Sequence, residues 1–190
     1  MNDFSSYGFY PSTTGTYWYQ SGCFECSSDD TALDLDFTYA DISDWTLTSD
    51  DANAFHMDLQ TSDGKPSLRI LEIYPKGKAT IDYLSTFNVE AEATYELVFD
   101  VRSSLPVNQH TGLPDTDFSL LTFYITTNGN IIHETIPVNG VWDRGQGWLK
   151  FTSHFVVRKE DAGAAKLSFT LHASGVHLDW YLSYLWVRKV

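Results

Sequence analysis

The sequence predicts an all-β chain folded as a two-sheet antiparallel β-sandwich of jelly-roll type. Three observations carry that reading. First, the last hundred residues alternate. Tyr95, Leu97, Phe99 and Val101 interleave with Glu96, Asp100 and Arg102, and Leu167, Phe169 and Leu171 interleave with Lys166, Ser168 and Thr170. A period of two sends one set to a core and the other to solvent. Second, turn residues punctuate the runs, most clearly at Ser62-Asp63-Gly64, Asn128-Gly129-Asn130 and Asn139-Gly140. Thr127-Asn128-Gly129-Asn130 between two alternating runs is a hairpin signal. Third, only the stretch around Lys159–Ala165 could make a helical turn.

Taken in order, strands are expected near Ala54–Leu59, Leu68–Tyr74, Thr80–Phe87, Thr94–Arg102, Ser119–Thr127, Ile131–Ile136, Trp148–Arg158, Lys166–His172 and Trp180–Arg188. Eight to ten short antiparallel strands need two sheets to bury their faces. Leu105–Asp117 holds two prolines and reads as a long loop. Residues 1–22 stand apart. They mix Ser, Thr and Gly with Phe4, Tyr7, Phe9, Tyr10, Tyr17, Trp18 and Tyr19, too aromatic for an ordinary disordered tail. They read as an N-terminal arm that packs either on its own domain or on other subunits of a larger assembly. Residues 23–190 read as one sandwich domain.

Charge narrows the partners. No Lys or Arg precedes Lys65, so the first 64 residues carry twelve acidic groups and no basic one, and most of the net −13. Nucleic acid is not an expected partner, because its phosphates need cations. An anionic membrane surface is not expected for the same reason, and no stretch approaches the length of a membrane span. The acidic excess serves solubility or builds a Ca²⁺ site from Asp side chains. Cys23 and Cys26 admit three readings: structural thiols, a local disulfide, or a metal or redox pair. No signal peptide is visible. The expected location is extracellular or within a virion, reached by excision from a larger secreted protein or by a route that needs no signal; retention in the cytoplasm is the other reading.

No Gly-x-Ser-x-Gly, Gly-rich phosphate loop or His-Glu-x-x-His occurs, and a compact sandwich rarely forms the deep cleft of a glycosidase, so no enzyme is expected. Candidate ligand-binding residues are those expected to face outward from one sheet: Arg102, Tyr124 and His154, with Trp142 in the Asn139–Gly147 loop at the rim. An aromatic ring would stack on a sugar while the polar groups read its hydroxyls. A solvated face is the alternative. Trp45, Trp148 and Trp186 are expected in the core.

The order of landmarks resembles a known family. Gly22-Cys23-Phe24-Glu25 is followed by Asp44-Trp45-Thr46-Leu47, then by Tyr95 to Arg102, Trp148-Leu149-Lys150-Phe151-Thr152, Phe155-Val156-Val157, and a closing Trp180 to Val187. This resembles the jelly-roll carbohydrate-binding modules of the family 4/9 type, within the galactose-binding-like sandwiches, over about residues 22–190. The resemblance implies a non-catalytic module that binds an oligo- or polysaccharide at a sheet face. It also implies a structural Ca²⁺, with Glu25 at the family's acidic position. The closing strand departs from the family pattern, with Ser183-Tyr184 in place of an Asp pair. The rival expectation is a structural or adhesion protein of a virus particle, such as a phage, using the sandwich and the arm for assembly or host attachment.

Overall fold

A computed structural model of the chain describes residues 30–105, 117–137, 141–142 and 147–190, the side chains of Val141 and Trp142 excepted. The arm at residues 1–22, Glu25, Cys23 and Cys26 lie outside these residues. Among the described residues thirteen strands are present: β1 Thr31–Leu35, β2 Trp45–Ser49, β3 Phe55–Ser62, β4 Lys65–Glu72, β5 Lys78–Tyr83, β6 Phe87–Val89, β7 Thr94–Ser103, β8 Leu121–Thr127, β9 Asn130–Thr135, β10 Val141–Trp142, β11 Leu149–Val156, β12 Gly163–His172 and β13 Asp179–Lys189. The eight to ten expected from the sequence is too few. The strand expected over Thr80–Phe87 is two, β5 and β6, and β1, β2 and β10 are short additions.

The strands form two antiparallel sheets. The first runs β10-β11-β7-β13-β4-β3, with β1 also paired to β13. The second runs β2-β5-β12-β8-β9, with β6 also paired to β12. Between them lies an aromatic ladder. Phe151 and Phe99 on neighbouring strands of the first sheet sit 5.1 Å apart between ring centroids. Phe99 meets Phe123 of the second sheet at 3.9 Å, and Phe123 meets Phe169 at 5.1 Å. Each fully buried ring contributes roughly 1.5–3 kcal/mol relative to exposure. Trp45, Trp148 and Trp180 are buried.

The hairpins take the turns their residues specify. Asp63 and Gly64 join β3 to β4, and Asn128 and Gly129 join β8 to β9, all four with positive φ. Two successive positive φ values match the right-handed strand twist, and Asn-Gly and Asp-Gly tolerate them best. The helical turn expected near Lys159–Ala165 is a single 3-10 turn over Lys159–Asp161.

Two polar devices sit inside this frame. The Glu72 carboxylate is 1% exposed. It accepts from Trp180 Nε1 at 2.9 Å and from the Ser174 hydroxyl at 2.8 Å. Buried charge is tolerated only when hydrogen-bonded in this way. His133 of β9, half-buried, reaches between the sheets to Ser153 of β11 at 2.5 Å and stacks on Phe155 at 4.8 Å. Burial pushes the His133 imidazole below its ordinary value, so it is held neutral.

Trp186 is a correction. Inward Trp180 and Leu182 would put Trp186 in the core if the period of two continued. The pairing of β13 with β7 slips between Ser183 and Trp186, and Tyr184 has φ +50°. This bulge reverses the parity, so Leu185 and Val187 turn inward and Trp186 faces out.

Candidate functional site

The outer face of the first sheet carries Glu96, Asp100 and Arg102 from β7, opposite His154 and Lys150 of β11 and Tyr181, Ser183 and Arg188 of β13. Most of its cations are held by neighbouring carboxylates. Lys65 Nζ donates to Asp100 at 2.8 Å. Arg69 grips Asp58 with two hydrogen bonds, of 2.9 and 2.6 Å, and lies 3.5 Å from Asp179. Arg102 pairs with Asp63 and donates to Ser62 Oγ at 2.9 Å. Arg188 donates to Glu96 at 2.9 Å and lies over the Trp186 ring at 4.4 Å. His154 Nε2 is 3.5 Å from the same Glu96. The hydrogen bonds from Arg69 hold the Asp58 carboxyl below the usual carboxylate value. This face is a lattice of ion pairs between strands, and most of its charges are committed to one another.

The outer face of the second sheet is built differently. The register lines up Thr48, Thr80, Thr170 and Thr122 across β2, β5, β12 and β8. The next row reads Thr46, Asp82, Ser168, Tyr124 and Glu134, ending on β9. Strands lie about 4.8 Å apart, so each row crosses the sheet in regular steps. Among the described residues, none of Thr46, Asp82, Ser168, Tyr124 and Glu134 has a side-chain hydrogen bond or ion pair. Thr170 Oγ1 is buried and unpartnered. Carboxylates that accept, hydroxyls that donate and accept, and one half-buried tyrosine ring together suit a polyhydroxylated ligand.

The sequence-derived candidates are therefore not one site. Arg102 and His154 face outward, as alternation requires, but on the first sheet. Tyr124 faces outward on the second sheet, on the opposite side of the sandwich. Alternation reports which face of its own strand a residue takes and carries no information on which sheet the strand joins. Trp142 lies in β10, an edge strand paired with Leu149 and Lys150 of β11, and not in a loop; its side chain is outside the described residues. The sequence reading missed Asp82, Ser168, Glu134 and the threonine row. Each sits at an outward position of an alternating run, which was the available signal.

Glu25, the expected Ca²⁺ ligand, lies outside the described residues. At the closing strand, Ser183 Oγ donates to the Pro66 carbonyl at 2.7 Å, so that position supplies no carboxylate. Among the described residues no three metal-ligating side chains come together, and no helix is long and apolar enough to cross a membrane.

No protein-family model matches the sequence, and no curated protein matches it. Solved structures do match the fold. The enzymatically active domain of bacteriophage CBA120 tailspike protein 4 superposes with a TM-score of 0.59 at 12% identity, over 85% of this chain and 21% of that one. The chain thus spans about a fifth of that tailspike domain. A CBM4 structure matches with a TM-score of 0.52 at 14% identity, over 77% of this chain and 86% of that one. The CBM22-1 xylan-binding domain of Paenibacillus barcinonensis Xyn10C matches at 0.50 and 15% identity, over 85% and 95%. The chain has the β-sandwich fold of these carbohydrate-binding modules.

Proposed function

We propose, from a sandwich that superposes on carbohydrate-binding modules, that this protein is a non-catalytic glycan-binding module. Its ligand lies across the outer face of the second sheet, stacked on Tyr124 and hydrogen-bonded by Asp82, Ser168 and Glu134. The observation that carries this reading is the row of uncommitted polar groups beside an outward tyrosine. Arg102 and His154 belong to the ion-paired frame on the other side. The net charge of −13 favours neutral over polyanionic glycans. Binding through one ring and a few hydrogen bonds is weak, on the order of 10–100 μM. A glycan array followed by calorimetry tests the site. Tyr124→Ala is expected to weaken the measured binding about tenfold or more and Arg102→Ala to leave it intact. The reverse pattern would move the site to the first sheet.

A second reading has its own support. The likeness to a tailspike domain favours use of the sandwich as one part of a virus-particle attachment protein, where glycan binding serves adhesion. Imaging the protein in its native assembly separates a particle component from a free module.

A further inference from the structure

On the outer face of the second sheet the threonine row sinks as it crosses the strands. Thr48 of β2 is exposed and Thr80 of β5 half-buried. Thr170 of β12 and Thr122 of β8 stand directly opposite each other and are only 6% and 8% exposed. Threonines facing each other across strands can hydrogen-bond. These do not. Thr170 Oγ1 is buried with no partner, and the Thr122 hydroxyl makes no hydrogen bond among the described residues. Valine has the same shape and would suit a buried strand position without leaving a polar atom unpaired. Thr170 lies between the inward Phe169 and Leu171, so its side chain is directed away from the core. Two other buried polar atoms lack a partner among the described residues, and neither belongs to this outer face. Thr127 shares the inward phase of Phe123 and Ile125, and Trp148 leads into β11 of the first sheet.

The recess limits what can fill it. A hydroxyl both donates and accepts, and two of them about 5 Å apart across strands can hold one oxygen that does the same. An alcohol fits that description. An ammonium group cannot accept a hydrogen bond, and a carboxylate would bring like charge beside Asp82 and Glu134. Ring hydroxyls of a sugar stacked on Tyr124 stay near the ring plane, at the height of the tyrosine. An exocyclic hydroxymethyl group turns about its own C–C bond and dips below that plane. Thr122 is two residues from Tyr124 on β8, about 7 Å along the strand, which such a group on the stacked ring can reach. No hydrogen bond holds Thr170 Oγ1, so rotation about χ1 to another staggered well can bring the hydroxyl outward.

We propose that Thr170 and Thr122 form a recess for the hydroxymethyl group of a hexose unit, so that this face selects hexose chains over pentose chains. The inference rests on the glycan reading of the Tyr124 face, and it can fail while that reading stands.

The test is a glycan array carrying hexose oligomers beside pentose oligomers of the same linkage, followed by calorimetry of the full chain on the pair bound best. Glucose and xylose oligomers make such a pair, since their units differ only in the hydroxymethyl group. The hexose member is expected to bind about fivefold or more tightly, the range of a neutral hydrogen bond. Thr170→Val keeps the shape and is expected to bring the two affinities within about twofold, with the melting temperature unchanged or raised. Thr170→Ser keeps the hydroxyl and is expected to keep the preference. Thr127→Val removes an equally unpartnered hydroxyl from the inward side and is expected to leave both affinities unchanged. Tyr124→Ala is expected to weaken both members alike. Equal affinity for the two members, or a preference that survives Thr170→Val, overturns the recess while dependence on Tyr124 keeps the face. Binding that ignores Tyr124→Ala, or no binding by any pair, removes the face and the recess with it.

Discussion

The two outer faces of this sandwich share a core, a pleat and a mixture of charge and hydroxyl, yet they are organised in opposite ways. On the first sheet, Lys65, Arg69, Arg102 and Arg188 each meet a carboxylate on another strand or turn. On the second, Asp82, Ser168, Tyr124 and Glu134 share a row across four strands without pairing among the described residues. A polar group that has already exchanged water for a protein partner gains little from a ligand, whereas an uncommitted one can make that exchange on binding. The contrast teaches that polarity alone does not mark a binding face. What marks it is polarity left over after the fold has been satisfied.

The strongest way to break the comparison is to remove what both faces rest on. Phe123→Ala empties the centre of the aromatic ladder and is expected to cost about 3–5 kcal/mol, read by chemical denaturation. Its neighbour sharpens the comparison. Tyr124→Ala changes the next residue of the same strand, facing the other way, and is expected to reduce glycan affinity about tenfold or more. Its effect on the denaturation midpoint should be small. Matching effects from the two substitutions would erase the distinction between core and face.

Smaller still is the effect of opening the ion-pair lattice. Arg69→Ala releases Asp58 and Asp179 and is expected to cost about 1 kcal/mol, with glycan affinity unchanged. Because Arg69 lowers the Asp58 carboxyl, that contribution is present at neutral pH and disappears as pH falls through the folded-state value, below the ordinary 3.8. The Arg69→Ala protein should therefore show a shallower loss of stability in acid.

The smallest expected effect comes from between the faces. His133 is lowered from its ordinary 6.5 by burial. The unfolded chain therefore takes up a proton at higher pH than the folded one. The stability due to neutral His133 is complete above about pH 6.5 and declines as pH falls toward the folded-state value. Urea titrations at pH 8 and pH 5.5 should differ in midpoint for the native chain, and His133→Phe should reduce the difference.

Much of the fold was legible because it rests on period and punctuation. All nine expected strands lie on observed strands, and the Asp63-Gly64 and Asn128-Gly129 turns fall where those residues demand positive φ. What escaped was short or broken. β10 has two residues, too few to show a period, and β1 lies within the acidic stretch that drew attention to charge. β2 does alternate, with Trp45 buried and Thr46 and Thr48 exposed, and its five residues were readable. The site was less legible for a physical reason. Outwardness of Arg102, Tyr124 and His154 follows from their own strands, but their grouping depends on strand order, which local sequence does not encode. The threonine row exists only once four separate strands are in register.

The bulge at Ser183–Tyr184 gives the closing strand two halves in opposite phase. Trp180 and Leu182 point inward before it, Leu185 and Val187 after it. Tyr184 carries a positive φ, a conformation that Gly or Asn adopts with less strain, and it is the residue in excess of a regular period. Deleting it would join Trp180, Leu182, Leu185 and Val187 in one unbroken alternation, with Trp186 still facing out. The extra residue therefore sets the bend and twist of the closing strand and not which of its side chains reach the core.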